Sequence, residues 1–391
     1  MTFCTQKYIE KNNYSNDLIK IQYSQNLENE FFKYSQSFFY TAELGLQHLC
    51  NENMHDISKL DTFFFPLTFL YRHSIELLMK AIVFKFITKE EKRIEFLKKS
   101  CHNLKEIFNY IKRENLLSHD IDLSNWLENY FDSINLIDKN SDSFRYPFQI
   151  NKNTFEIIPI FAKQLHIDLI KFSKKFRFIY KTMKKIFSQE KDFSLEYNNL
   201  KPLFLEVGGD YYSQSVVGNE YNKMDYSLYI FAYSKLNTFL KTNINLNNKN
   251  KLFFPICYLY RNGIELSLKG IYLEIFRADN LKTLLNNKHK ILKLWKEIFP
   301  TLENIAKENN FNLVFLKKTN NYCNQLNNFD PDSSLFRYPV RKNLSPYFSS
   351  KKTIVLKYSH IINSLEKLCH SLEGIYDMII TYSEFCQEQY E

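Results

Sequence analysis

Residues 64–80 read FFPLTFLYRHSIELLMK, and residues 253–269 read FFPICYLYRNGIELSLK. Ten of the 17 positions are identical, and Arg72 and Arg261 stand 189 residues apart. Chance supplies roughly one identity in such a window, so the two segments read as copies of one unit. On a helix turning about 100° per residue, Leu70, Ile75, Leu77, Leu78, Met79, Ile82, Val83, Phe84 and Phe86 cover nearly the whole circumference. A helix that is apolar all round belongs in the centre of a bundle. Into it the chain sets Arg72, Glu76 and Lys80 at i, i+4 and i+8, one narrow charged stripe bordered by His73. Arg261, Glu265 and Lys269 repeat that stripe, bordered by Asn262. Charge inside an apolar helix is costly unless it is paired or used.

The repeat continues beyond these helices. His102 opens HNLKEIF and His289 opens HKILKLW; FRYP stands at 144–147 and again at 336–339. The closing helices match loosely, at Ile179-Tyr180 and Ile375-Tyr376. A chain of 391 residues is too long for one ordinary core. The expected fold is therefore all-α, two tandem internally duplicated helical bundles at 1–190 and 224–391. Between them, 191–223 is a linker, whose PLFLEVGGDYYSQSVVG segment (202–218) reads as a β-hairpin or extended strap. Helices are expected near 28–52, 64–87, 90–114, 122–137 and 156–187, then near 224–244, 253–277, 280–309, 312–327 and 351–387.

Fifty-two basic against 43 acidic residues leave a net charge of +9, a mild bias toward polyanionic partners. Lys171, Lys174, Lys175, Arg177, Lys181, Lys184 and Lys185 form one basic run. It reads as a solvated helix face or a phosphate-contact surface. Seven cysteines form no CxxC pair and no Cys/His cluster with zinc spacing, as expected of a reducing cytoplasm. The N-terminal MTFCTQKYIEKNNYS has no apolar signal core. No apolar run is long enough for a membrane span. No phosphate-binding glycine loop, metal-ligand motif or nucleophile motif is found, so neither a cofactor nor a metal is expected.

The candidate site is the duplicated polar set. Partners for each stripe are expected from its own half: His102 with Arg145 and Tyr146, and His289 with Arg337 and Tyr338. A residue before proline is pushed out of the α region, so FRYP should be a fixed loop. Two readings stand side by side. In one, Glu76 and Glu265 hold the FRYP loops in a closed salt-bridge network. In the other, the surplus of Arg, Lys and His forms a phosphate pocket, since Arg makes planar two-point contacts with phosphate.

An all-α unit with an apolar Arg-x-x-x-Glu-Leu-x-x-Lys helix, a following His-x-Leu helix start and a long terminal helix resembles the HEPN superfamily of prokaryotic helical bundles. The resemblance covers 28–187 and 224–387. It implies a metal-independent endoribonuclease, a toxin–antitoxin or phage-defence component, or a non-catalytic relative. It also implies a dimer, here formed within one chain as an intramolecular pseudo-dimer. The Arg-x(4–6)-His motif of active members is matched only by Arg113 and His119, in one half. The function expected is non-catalytic or weakly catalytic binding of RNA or a nucleotide. The alternatives are an endoribonuclease using His102, His289, Arg113 or His119, and a scaffold for a partner protein.

Overall fold

The computed structural model describes residues 17–24, 26–52, 57–117, 120–190, 192–218, 225–245, 247–276, 281–309 and 312–388. Among them are twelve α-helices and six short strands. In chain order these are β1 (Leu18–Ile21), α1 (Leu27–Glu52), α2 (Ile57–Phe86), α3 (Glu90–Ser100), α4 (Leu104–Arg113), α5 (Ile121–Asp138), β2 (Phe148–Ile150), β3 (Ile157–Pro159), β4 (Leu165–Asp168) and α6 (Leu169–Ser188). Then follow β5 (Gln214–Val217), α7 (Ser227–Thr242), α8 (Lys249–Phe276), α9 (Leu281–Asn287), α10 (Ile291–Glu308), α11 (Leu313–Phe329), β6 (Ile354–Lys357) and α12 (Tyr358–Glu388).

The architecture is all-α, with α2 and α8 at the centre. Residues 62–84 are buried without interruption, as are 255–273. All-round apolarity has that meaning here, with Phe86 at the exposed end of α2 as the exception. Both central helices start earlier than expected, at Ile57 and Lys249, and carry Pro66 and Pro255 inside them. One hydrophobic cluster contains residues of both halves, from Ile19 to Ile379.

Two expected helices are each split in two. The 90–114 segment breaks at Cys101 (φ 45°) and the 280–309 segment at Lys288 (φ 45°). In each the chain turns through the same bond, Asn103 N–H to Ser100 O and Lys290 N–H to Asn287 O, both 2.8 Å. Asn103 then caps α4 by accepting from Glu106 N–H at 3.2 Å.

The terminal helices start later than expected, at Leu169 and Tyr358, because the residues before them are strands. Their partners come from across the molecule. β1, ahead of the first helix, pairs antiparallel with β6 of the C-terminal half. β5, ahead of α7, pairs antiparallel with β4 of the N-terminal half. The 202–218 segment is thus a strap, with Val207 bridged to one side of Ile167 and β5 to the other. Gly218 ends it at φ 88°, where an added Cβ would lie 2.2 Å from Lys163 O, so only glycine fits. Among the described residues no helix is long and apolar enough to cross a membrane.

Candidate functional site

Both charged stripes are buried. In the first, Glu76 Oε2 takes Arg72 Nη1 at 2.8 Å, and Glu76 Oε1 takes Lys80 Nζ at 2.7 Å. The break between α3 and α4 supplies two carbonyls: His102 O accepts from Arg72 Nη2 at 2.6 Å, and Cys101 O from Lys80 Nζ at 2.7 Å. His102 Nδ1 lies 3.1 Å from Glu76 Oε1. The second stripe repeats this. Arg261 Nη1 reaches Glu265 Oε2 at 3.3 Å, Lys269 Nζ reaches Glu265 Oε1 at 2.9 Å, and Arg261 Nη2 donates to His289 O at 2.7 Å. His289 Nδ1 lies 2.9 Å from Glu265 Oε1.

The FRYP loops close these networks from the opposite half. Tyr338 OH donates to Glu76 Oε1 at 2.9 Å and lies 2.9 Å from His102 Nδ1. Tyr146 OH donates to Glu265 Oε1 at 2.7 Å and lies 3.0 Å from His289 Nδ1. The expected pairing within each half, His102 with Tyr146 and His289 with Tyr338, is therefore reversed. The reason is where the loops are anchored. Tyr229 and Tyr233 of α7 donate to Ser143 O and Phe144 O, holding the first loop against the C-terminal half. His73 of α2 bonds Arg337 O at 3.1 Å and holds the second against the N-terminal half.

The FRYP arginines do not grip the stripes. Arg145 Nε bonds Tyr258 OH at 3.0 Å, Nη2 bonds Tyr146 OH at 2.8 Å, and Asp142 lies 3.4 Å from Nη1. Arg337 Nε donates to Ser333 O at 2.7 Å, and its guanidinium lies over the Tyr258 and Tyr338 rings.

Sequence reasoning missed two carboxylates. Asp138 Oδ2 meets Arg72 Nε at 2.7 Å, an ion contact outside hydrogen-bonding angles. Asp330 Oδ2 meets Arg261 Nε at 3.8 Å. Their other oxygens cap the FRYP turns, Asp138 at the amides of Asp142 and Ser143, Asp330 at those of Ser334 and Leu335. The signal was present, since each aspartate stands seven residues before the FRYP arginine of its own half. With them, each stripe holds two cations and two carboxylates, so the surplus positive charge expected for a phosphate pocket is absent there. The closed salt-bridge network is the arrangement found.

Electrostatics follow from this geometry. Burial pushes the Glu76 carboxyl up, but Lys80 and His102 outweigh it and hold it well below the usual carboxylate range. Lys269 and His289 do the same for Glu265 against its burial. Burial lowers His102 despite Glu76. Glu265 pulls His289 up, but burial with Arg145 and Lys269 leaves it below its ordinary value. Both imidazoles are thus neutral near pH 7, with Nδ1 against a carboxylate. Their side chains are 33% and 34% exposed, so each ring edge is where its network meets water.

The remaining candidates are dispersed. Arg113 ends α4 on the surface, and His119 lies outside the described residues. The basic run on α6 is largely spent on internal contacts. Lys175 is buried against Glu206 and Leu203 O, Arg177 pairs with Glu43, Lys171 with Asp168 and Glu206, and Lys185 donates to Asp192 O. Lys174, Lys181 and Lys184 remain exposed. A different basic stretch of sequence flanks His289. Residues 281–296, LKTLLNNKHKILKLWK, carry five lysines and no acid. All five, Lys282, Lys288, Lys290, Lys293 and Lys296, are exposed. Beside His102 stand exposed Lys98 and Lys99, while Lys105 and Lys112 are engaged by Glu128 and Asp132. Among the described residues no group of three or more His, Cys, Asp or Glu is placed to hold a metal ion. No family model, curated protein or solved structure matches this chain.

Proposed function

We propose that this is a HEPN-like, intramolecularly paired protein that binds RNA or a nucleotide through phosphate, without fast turnover. One observation carries the reading. Residues 281–296, which include His289, carry five exposed lysines and no carboxylate, the acids of α10 beginning at Glu297. Such a surface attracts phosphates by releasing counterions. The N-terminus of α10 adds a favourable dipole. The site differs from the buried stripes, whose charges are already balanced. A role in prokaryotic stress or phage defence follows from the HEPN resemblance alone.

The test is fluorescence anisotropy with labelled single-stranded RNA between about 50 and 200 mM salt. The Lys288→Glu/Lys290→Glu/Lys293→Glu variant should bind at least about tenfold more weakly and show a shallower salt slope. Equal binding by the variant refutes the placement. Absence of wild-type binding at low salt supports the scaffold alternative.

One observation supports the endoribonuclease reading as second choice. His289 is neutral, held at Nδ1 by Glu265, and partly exposed between the exposed Lys288 and Lys290, as a general base beside a bound phosphate would be. That reading requires RNA cleavage in EDTA that His289→Ala abolishes.

A further inference from the structure

The basic run of α6 keeps one solvent face that its internal contacts do not use. At about 100° per residue, Ile170, Lys174, Arg177, Lys181 and Lys184 fall on a single stripe about 80° wide. Lys174, Lys181 and Lys184 are exposed, and among the described residues none of the three has an ion-pair partner. The carboxylates beside the helix are already matched, Glu43 by Arg177, Asp168 by Lys171, and Glu206 by Lys171 and Lys175. The strap adds an aromatic tip at the first turn of α6. There Leu169 N–H donates to Ser213 O at 3.0 Å, and Tyr212 and Ile170 border one apolar cleft. Tyr211 and Tyr212 are 61% and 49% exposed, with ring centroids 5.3 Å apart. Rings exposed in this way beside unpaired lysines mark a contact surface.

The second half does not share the feature. Aligned on Ile179-Tyr180 and Ile375-Tyr376, the matching stripe of α12 reads Glu366, His370, Glu373, Asp377 and Ile380. The two helices take equivalent places in the duplicated sequence, yet one stripe is basic and the other acidic. A solvated helix face needs no particular sign of charge, so the lysines of α6 answer to something outside the helix.

We propose that this face of α6 and the tyrosine tip bind single-stranded RNA, with phosphates along Lys174, Lys181 and Lys184 and an unpaired base on Tyr211. From Lys174 to Lys184 the track is about 15 Å long. A positive track ending in aromatic rings is what sequence-tolerant binding of a single strand uses, since every base has a face to stack. A duplex keeps its bases stacked on one another and offers none to the tip. A membrane suits the face less, because beyond Ile170 the stripe carries no apolar side chain for an interfacial helix to bury. The inference rests on the reading that the chain binds RNA, but not on the α9–α10 lysines.

The test is photo-cross-linking of the full chain to a single-stranded oligouridylate of about 16 nucleotides carrying iodouridine, followed by peptide mass spectrometry. A cross-link at Tyr211 or Tyr212 is expected in the wild type, and equally in Lys288→Glu/Lys290→Glu/Lys293→Glu. Annealing the strand to its complement should abolish it. Cross-links confined to residues 281–296 overturn the proposal and leave the α9–α10 placement standing. In fluorescence anisotropy, Tyr211→Ala should weaken binding about tenfold with little change in salt slope. Lys174→Ala/Lys181→Ala/Lys184→Ala should make that slope shallower by about 2, at about 0.7 per phosphate contact. Both variants should keep the wild-type far-UV circular dichroism, since every altered side chain is exposed. The proposal is overturned if either folded variant binds RNA as the wild type does. It is equally overturned if no tyrosine cross-link forms and both variants instead lose sedimentation with phosphatidylserine vesicles, which assigns the face to a membrane.

Discussion

Replacing Glu76 with alanine exposes how the two halves depend on each other. The carboxylate is fully buried and receives Arg72, Lys80 and, from the opposite half, Tyr338. After its removal Arg72 still has Asp138 and His102 O. Lys80 keeps only neutral partners, Cys101 O and the face of the Tyr338 ring at 5.1 Å. An uncompensated buried ammonium is thus the main cost, and breaking such a pair typically costs about 3–5 kcal/mol. Urea denaturation followed by far-UV circular dichroism measures it. The loss should appear as one shifted transition for the whole chain, because Tyr338 ties the second half to the first. Lys80→Met in the Glu76→Ala background should restore a large part of the loss by removing the orphaned charge. Tyr338→Phe should cost about 1–3 kcal/mol in the wild type, as a bond to a charged acceptor does. It should cost far less in the Glu76→Ala background. A Glu76→Ala loss below about 1 kcal/mol, or a Tyr338→Phe cost equal in both backgrounds, refutes the reasoning.

Two further outcomes follow from the same geometry. Burial lowers His73 from 6.5 to about 4. The unfolded chain therefore takes up the proton first as pH falls. The stability associated with His73 is complete above pH 6.5 and lost progressively down to pH 4, about 3 kcal/mol in all. His73→Asn, which installs the residue found at the equivalent position 262, should flatten the stability profile between pH 4 and 7 by that amount; an unchanged slope excludes the assignment. Residues 1–190 expressed alone would lack Tyr338 for Glu76 and β5 for β4, and should show no cooperative unfolding until mixed with residues 191–391. A cooperative transition in the isolated fragment would show that the exchanged contacts are dispensable.

The charged stripes were legible because helical spacing alone aligns i, i+4 and i+8. The exchange was not. Tyr146 and Tyr338 are chemically identical ends of identical FRYP loops, and no feature of the sequence says which glutamate each will reach. Anchors such as Tyr233 and His73 decide it through contacts between distant segments. The helix breaks at Cys101 and Lys288 were hidden because neither residue is glycine, yet both adopt positive φ. They do so where the turn delivers carbonyls to Lys80, Arg72 and Arg261. Leu165–Asp168 and Ile354–Lys357 are strands inside expected helices, because a short apolar run does not distinguish strand from helix. Their strand partners lie in the other half and supply the missing information.

A charge-balanced network in a core is a weak source of net stability, since well-packed apolar residues often do as well. Its value here is directional. Glu76 and Glu265 each need a hydroxyl that their own half does not deliver, because each half's loop is tied across the molecule by backbone carbonyls. A Phe in place of Tyr146 or Tyr338 would pack as well but would accept any apolar neighbour. The tyrosine hydroxyl is satisfied at one carboxylate, beside one imidazole. The polar groups therefore fix the register between two nearly identical, otherwise greasy central helices. They leave the His102 and His289 side chains about one-third exposed, each beside its buried carboxylate.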